Sequence, residues 1–148
     1  MNFSAILQEA LKNPLYSKYP LMLGSPHDRF RAHSTFSNAR WLLQINQEPR
    51  VRINPADAQA RGIVNQDFVE VFNDRGSFQC RCQVNDMRPG MVQLSEGWWS
   101  RYFKKGDLQE LTNPHVNPRS AKLLLGAYSA FLDTGICSFR KYFKFKNN

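Results

Sequence analysis

Residues 24–38, Gly-Ser-Pro-His-Asp-Arg-Phe-Arg-Ala-His-Ser-Thr-Phe-Ser-Asn, gather two arginines, two histidines, four hydroxyls and a glycine against a single acid. That mixture suits an anion. Arginine offers a rigid fork matched to phosphate oxygens, while hydroxyls and glycine amides donate at close range. Gly24, Ser25, His27, Arg29, Arg31, His33 and Ser34 are therefore the candidate ligand contacts, and a polar surface loop with two capping residues is the competing reading. His27 and His33 could also bind a metal, but six residues separate them and further ligands are scarce, so no metal site is expected. Ser34 beside His33 is adjacent only in sequence, which does not put a base on a nucleophile, and no catalytic residue is expected.

The elements around this loop follow from pattern. Tyr19 to Leu23 is a short apolar run, read as a buried strand that feeds the loop at Gly24-Ser25-Pro26. Val51 and Ile53 alternate with Arg50 and Arg52 as a half-buried strand. It leads into a short helix with a complete set of end signals: Asn54 as cap, Pro55 in the first turn, Asp57 and Arg61 at the matching dipole ends, Gly62 as left-handed stop, and Ile63 closing it. Phe68 to Phe72 and the alternating Phe78, Cys80, Cys82 and Val84 form a hairpin about Asn73-Asp74-Arg75-Gly76, whose glycine suits a left-handed bulge. The two thiols share its buried face and are read as reduced core residues. Arg88-Pro89-Gly90-Met91 signals a type II turn before a strand at Met91 to Leu94. An amphipathic helix is expected over residues 4–12, long polar loops after Trp98-Trp99, with those tryptophans packed beneath them, and a last strand around Ile136 to Phe139. About six short strands, two or three brief helices and no repeat point to a small, mainly β barrel.

Composition sets the outer bounds. The chain has 148 residues, 20 Lys plus Arg, 12 Asp plus Glu and a net charge of +8, with 42% hydrophobic residues. This is one domain with a foldable core, too apolar for a disordered polycation. No apolar stretch would span a bilayer, and the opening residues carry acids and amides where an export signal needs a clean apolar run, so neither membrane insertion nor export is expected. The middle third is charge-neutral and the basic excess sits at the ends. Much of it lies in the tail Arg140, Lys141, Lys144 and Lys146, interleaved with Tyr142, Phe143 and Phe145, a composition that can bind nucleic acid.

Taken in order, Tyr19-Pro-Leu-Met-Leu, Ser25-Pro-His27-Asp-Arg29-Phe-Arg31-Ala-His33-Ser34, Ile53-Asn-Pro-Ala-Asp-Ala58, Arg61-Gly62-Ile63, Val71-Phe-Asn-Asp-Arg-Gly76, Arg88-Pro-Gly90 and Glu96-Gly97-Trp98 carry a resemblance. The chain resembles the C-terminal molybdopterin-dinucleotide-binding domain of the dimethyl sulfoxide reductase family of molybdenum and tungsten oxidoreductases. The resemblance implies a six-stranded double-psi β-barrel with short helices and long loops over residues 19–141, flanked by an N-terminal helix or linker (1–18) and a basic tail (142–148). It implies that the chain binds a molybdopterin guanine dinucleotide whose molybdenum or tungsten is held through the pterin and not by this chain. Ser25, His27, Arg29, His33 and Ser34 would lie near phosphates or pterin, with Arg31 helping to neutralise charge. Late loops at Gln109 to Thr112, Asn117 to Ser120 and Gly126 to Tyr128 would close over the cofactor, with Gln109, Thr112, Ser120, Gly126 and Tyr128 as contacts.

Two positions depart from the family pattern. Gln109-Glu-Leu-Thr112 stands where Asn-x-Leu-Thr is usual, and Gln66-Asp67 where Gly-Asp is usual, which leaves Asn65 to take the unusual turn conformation. The family's metal ligand and cysteine cluster have no counterpart here. The chain is therefore expected to be non-catalytic alone, either a fragment of a large oxidoreductase or a separate subunit partnered with a catalytic one, and cytoplasmic if it stands alone. The alternative is a non-enzymatic β-barrel that binds nucleic acid through its C-terminal tail.

Overall fold

The computed structural model describes residues 14–112 and 135–141. The fold is mainly β with a few short helices. Its strands are β1 (Leu21–Gly24), β2 (Arg50–Ile53), β3 (Phe68–Phe72), β4 (Ser77–Val84), β5 (Met91–Gln93) and β6 (Gly135–Lys141). They pair in the order β1-β5-β2-β4-β3-β6, and β6 returns to β1 to close the ring. Closure removes the open edges that would otherwise template aggregation. The β1–β5 and β2–β4 pairs are parallel and the remainder antiparallel, so strands distant in sequence become neighbours.

The interior is filled by the inward set of strands β1 to β5. Leu21, Leu23, Val51, Ile53, Val69, Val71, Phe78, Cys80, Cys82 and Val92 are all buried, with Phe103, Leu108 and Leu111 packed on from the later loops. On β2 the two valine and isoleucine side chains point in while Arg52 is exposed, as the period of two requires. Burial pushes both the Cys80 and Cys82 thiols up to about 12, so they stay protonated and behave as small apolar groups.

The short helices are α1 (Arg40–Ile45) and α2 (Pro55–Gln59). In α2 the Asn54 side chain accepts from Ala56 N–H, Pro55 fills the first turn, and Gly62 takes φ 63°. Gly90 likewise has φ 77°, as the Pro-Gly turn demands. The α1 helix was not expected from pattern: it lacks a side-chain cap, only Leu42 is buried, and Trp41 and Ile45 are exposed.

Three expectations need correction. Gly76 is not in the left-handed region; its constraint is the close approach of Glu110, whose Cβ and carbonyl oxygen would lie 3.0 Å from an added Cβ. The positive φ of the turn before β3 falls on Gln66 (73°), not Asn65, because Asn65 extends its side chain to accept from Val84 N–H. Trp98 packs against the core as expected, but Trp99 is exposed. The helix expected over residues 4–12 and the basic tail at 142–148 lie outside the described residues.

Candidate functional site

The parallel β1–β5 pairing continues beyond both strands. Leu94 N–H donates to the Gly24 carbonyl at 3.1 Å and Glu96 N–H to the Pro26 carbonyl at 3.1 Å. Gly24 through His27 and Leu94 through Glu96 therefore leave the barrel side by side. Asp28 then turns the chain: one carboxylate oxygen accepts from Phe30 N–H at 2.8 Å, and the other accepts from the Asn46 side chain at 3.1 Å. A tight reversal bridges Ala32 and Thr35, with His33 at φ 52° and Phe36 at φ 59°.

This path carries the loop back over the β5 exit. His27 Nδ1 lies 2.6 Å and His33 Nδ1 2.7 Å from the same Glu96 oxygen, and the two imidazoles meet nearly edge to face with centroids 5.0 Å apart. The close approach depends on Gly97, which sits at φ 87° where an added Cβ would be 2.0 Å from the His33 carbonyl oxygen. Ser37 ties the same crossing by donating to the Gly97 carbonyl at 2.7 Å.

Arg31 turns inward instead. It is only 6% exposed, its guanidinium lies 3.7 Å from the Trp98 ring centre, and Nη2 donates to the Asn46 carbonyl at 3.1 Å. Nε and Nη1 are buried without a hydrogen-bond partner among the described residues. Burial lowers the Arg31 pKa from its usual value, with Asp28 opposing that effect, yet arginine remains charged at any physiological pH.

Two cavities flank this crossing, and Ser95 and Trp98 border both. The larger, about 550 Å³, is lined by His27, Arg29, Arg50, Arg52, Asn46 and Gln93 among others, against the single acid Asp28. The smaller, about 240 Å³, lies on the side of Glu96, Gly97 and Gln109. Gln109 thus borders the smaller cavity, whereas Thr112 lines neither one and its Oγ1 donates to the Gln109 carbonyl at 2.8 Å. Their loop is pinned from behind by Asn73 and Arg75, which both donate to the Leu111 carbonyl at 3.0 Å.

Of the residues expected at the site, Gly24 and Ser25 are half-buried at its base, His27, Arg29, His33 and Ser34 are exposed on the loop, and Arg31 is buried behind it. Ser120, Gly126 and Tyr128 lie outside the described residues. Sequence reasoning did not assign Glu96, Gly97, Arg50 or Arg52 to the site. The usable signals were a lone acid followed by glycine where β5 ends, and arginines at the outward positions of β2.

His27, His33 and Glu96 present three ligand atoms within 4.8 Å of one another. A tetrahedral zinc ion with bonds of roughly 2.0–2.1 Å separates its ligand atoms by about 3.4 Å. The nitrogen-to-oxygen spacings here are those of groups in direct contact.

A closed mainly β ring that bends a cationic, histidine-bearing loop over an aromatic-floored cavity is a ligand-binding domain. The family described as "Molydopterin dinucleotide binding domain" matches residues 21–123, and the chain belongs to it. It is 40% identical over 116 residues to the dimethyl sulfoxide reductase DmsA of Escherichia coli K12, covering 74% of this chain and 14% of that one. It is 42% identical over 111 residues to trimethylamine-N-oxide reductase 1 of the same organism, covering 70% and 13%. The chain therefore spans about one seventh of the length of these curated relatives. Among solved structures, acetylene hydratase from Pelobacter acetylenicus matches with a TM-score of 0.53 at 19% identity over 58% of this chain and 12% of that one, a likeness of fold.

The cofactor of this family is the molybdopterin guanine dinucleotide with its molybdenum. The residues present fit such a group. Buried guanidinium N–H groups on Arg31 and Arg50 lack acceptors among the described residues, and the larger cavity falls in the size range of ligand pockets while joining cationic, amide and aromatic walls. The comparisons lend no support to the alternative of a nucleic-acid-binding tail.

Proposed function

We propose that this chain is the cofactor-holding domain of an S-oxide or N-oxide reductase, with a double-psi arrangement of its barrel over residues 19–141. The supporting observation is the family match across residues 21–123, which contains both the cationic loop and the Gln109–Thr112 turn. The relatives' names supply the substrate class, dimethyl sulfoxide or trimethylamine N-oxide. When bound, the cofactor supplies the redox-active metal. The chain supplies no catalytic residue and no metal ligand in this reading; the remainder of the reductase polypeptide or a catalytic subunit does.

Each group on the loop has a role suited to an anionic, hydrogen-bonding ligand. Arg29 provides a fork for phosphate oxygens, and Ser25 and Ser34 offer short-range donors. Arg31, fixed on Trp98, brings buried positive charge and two nitrogens, Nε and Nη1, without a hydrogen-bond partner among the described residues. His27 and His33 present their outer ring edges to the pterin, while Gln109 and Thr112 close the opposite rim. Replacing His27, Arg29 and His33 together by alanine in the assembled reductase lowers molybdopterin content at least tenfold, measured by oxidative release of the fluorescent pterin. Full retention of the cofactor sinks the site assignment.

A further inference from the structure

Glu96 sits at the crossing of the loop and the β5 exit, and its contacts are unusual. Oε1 is buried and receives no well-aligned hydrogen bond, yet two imidazole Nδ1 atoms lie at 2.6 and 2.7 Å from it. A bare nitrogen lone pair facing a carboxylate lone pair at that distance is repulsive. Such short nitrogen-to-oxygen contacts are favourable only when the nitrogen bears a proton. Both rings remain largely exposed on their other edges, with His27 and His33 side chains 62% and 73% accessible.

We infer that Glu96 is a positioning residue that holds a proton on Nδ1 of both His27 and His33 and so turns both Nε2 atoms outward, toward the cofactor face. An isolated histidine in water favours the opposite tautomer and rotates freely about its side-chain bonds. A single acceptor reached from both sides fixes tautomer and orientation of two rings at once, as second partners do for metal-bound histidines. Gly97 makes this possible, because no side chain could stand between Glu96 and the His33 backbone. The outward Nε2 atoms then accept hydrogen bonds from the donor edge of a pterin, and that part of the inference rests on the proposed function above.

The test uses the full 148-residue chain labelled with 15N-histidine and read by long-range proton–nitrogen NMR at pH 8, with rings assigned through His27→Gln and His33→Gln. The expected result is Nδ1–H with bare Nε2 at both rings. Glu96→Ala shifts both to Nε2–H, while Glu96→Gln, which keeps an acceptor oxygen, restores Nδ1–H at one ring or both. Backbone amide signals of β2, β3 and β4 remain in place in each variant. In the assembled reductase, Glu96→Ala lowers cofactor content roughly tenfold. Nε2–H at both rings of the wild-type chain overturns the inference, as do tautomers indifferent to Glu96→Ala. Stoichiometric Zn²⁺ binding through the Nδ1 atoms also overturns it, by making the cluster a metal site. If Glu96→Ala does not fold, the wild-type tautomers decide. Because they are read without cofactor, this positioning role and the cofactor reading can fail independently.

Discussion

Two polar turns of this barrel show opposite states of satisfaction. In Asn73–Gly76 nearly every polar group is used: Asn73 Oδ1 accepts from the Arg75 and Gly76 amides, its Nδ2 and Arg75 Nε both reach the Leu111 carbonyl, and Asp74 accepts from Lys18 and Tyr19. The loop of residues 24–38 leaves Arg31 Nε and Arg31 Nη1 buried without a hydrogen-bond partner among the described residues. Unsatisfied buried groups cost stability, so a fold keeps them where something else is to meet them. The first turn is a fastening, and the second is, on the proposed reading, where the cofactor docks.

The largest effect is expected where the open site depends on a single backbone approach. At Gly97 an alanine would meet the His33 carbonyl oxygen at 2.0 Å while also sitting at φ 87°. Gly97→Ala should cost about 3 kcal/mol or more by chemical denaturation, or else lift the loop and separate both histidines from Glu96. A variant with unchanged stability and an unchanged histidine NMR signature would break the claim that the crossing is fixed here. Next in size is the fastening turn. Asn73→Ala removes the acceptor for two amides and one of two donors to Leu111, and should cost about 1–2 kcal/mol. It should also loosen Gln109 and Thr112, visible as faster amide exchange there. Exchange unaltered at those residues would mean that the turn does not pin the late loop.

The comparison also marks which features local chemistry could reveal. The Asn54–Gly62 segment was legible because its cap, proline, charges and glycine act within a few residues of one another; the cap, proline, Asp57 and Gly62 fall where expected, while Arg61 lies past the last turn and donates back to the Asp57 carbonyl. Strand content was legible from alternation. Helix α1 was not, since it has no side-chain cap and one buried residue, so tertiary context and not propensity selects it. Gly76 misled for a related reason: glycine in a turn suggests positive φ, whereas here a residue 34 positions later approaches it. At the site, the loop's cationic and histidine content was visible, but Glu96 was not. Its role arises from the parallel β1–β5 register, a pairing of segments about 70 residues apart that sequence spacing cannot announce.

The smallest expected change in stability is the most discriminating for the comparison, and it concerns Arg31. Removing a well-satisfied buried charge is normally severe, because its partner is left behind. Among the described residues Arg31 has one hydrogen bond and a stacked tryptophan on the favourable side, and desolvation with Nε and Nη1 unpartnered on the other. Stacking of this kind contributes about 0.5–2 kcal/mol, and each unpartnered buried donor costs about 1–3 kcal/mol. Methionine keeps the apolar stem and a contact with Trp98 while removing the charge and all donors. Arg31→Met should therefore leave the free chain within about 1 kcal/mol of the wild type, while lowering molybdopterin content in the assembled reductase by tenfold or more. A loss above about 2 kcal/mol in the free chain would place Arg31 with Asn73 as a fastening residue. Unchanged cofactor content would remove it from the site, since a buried guanidinium that neither stabilises the chain nor meets the cofactor has no remaining work in this fold.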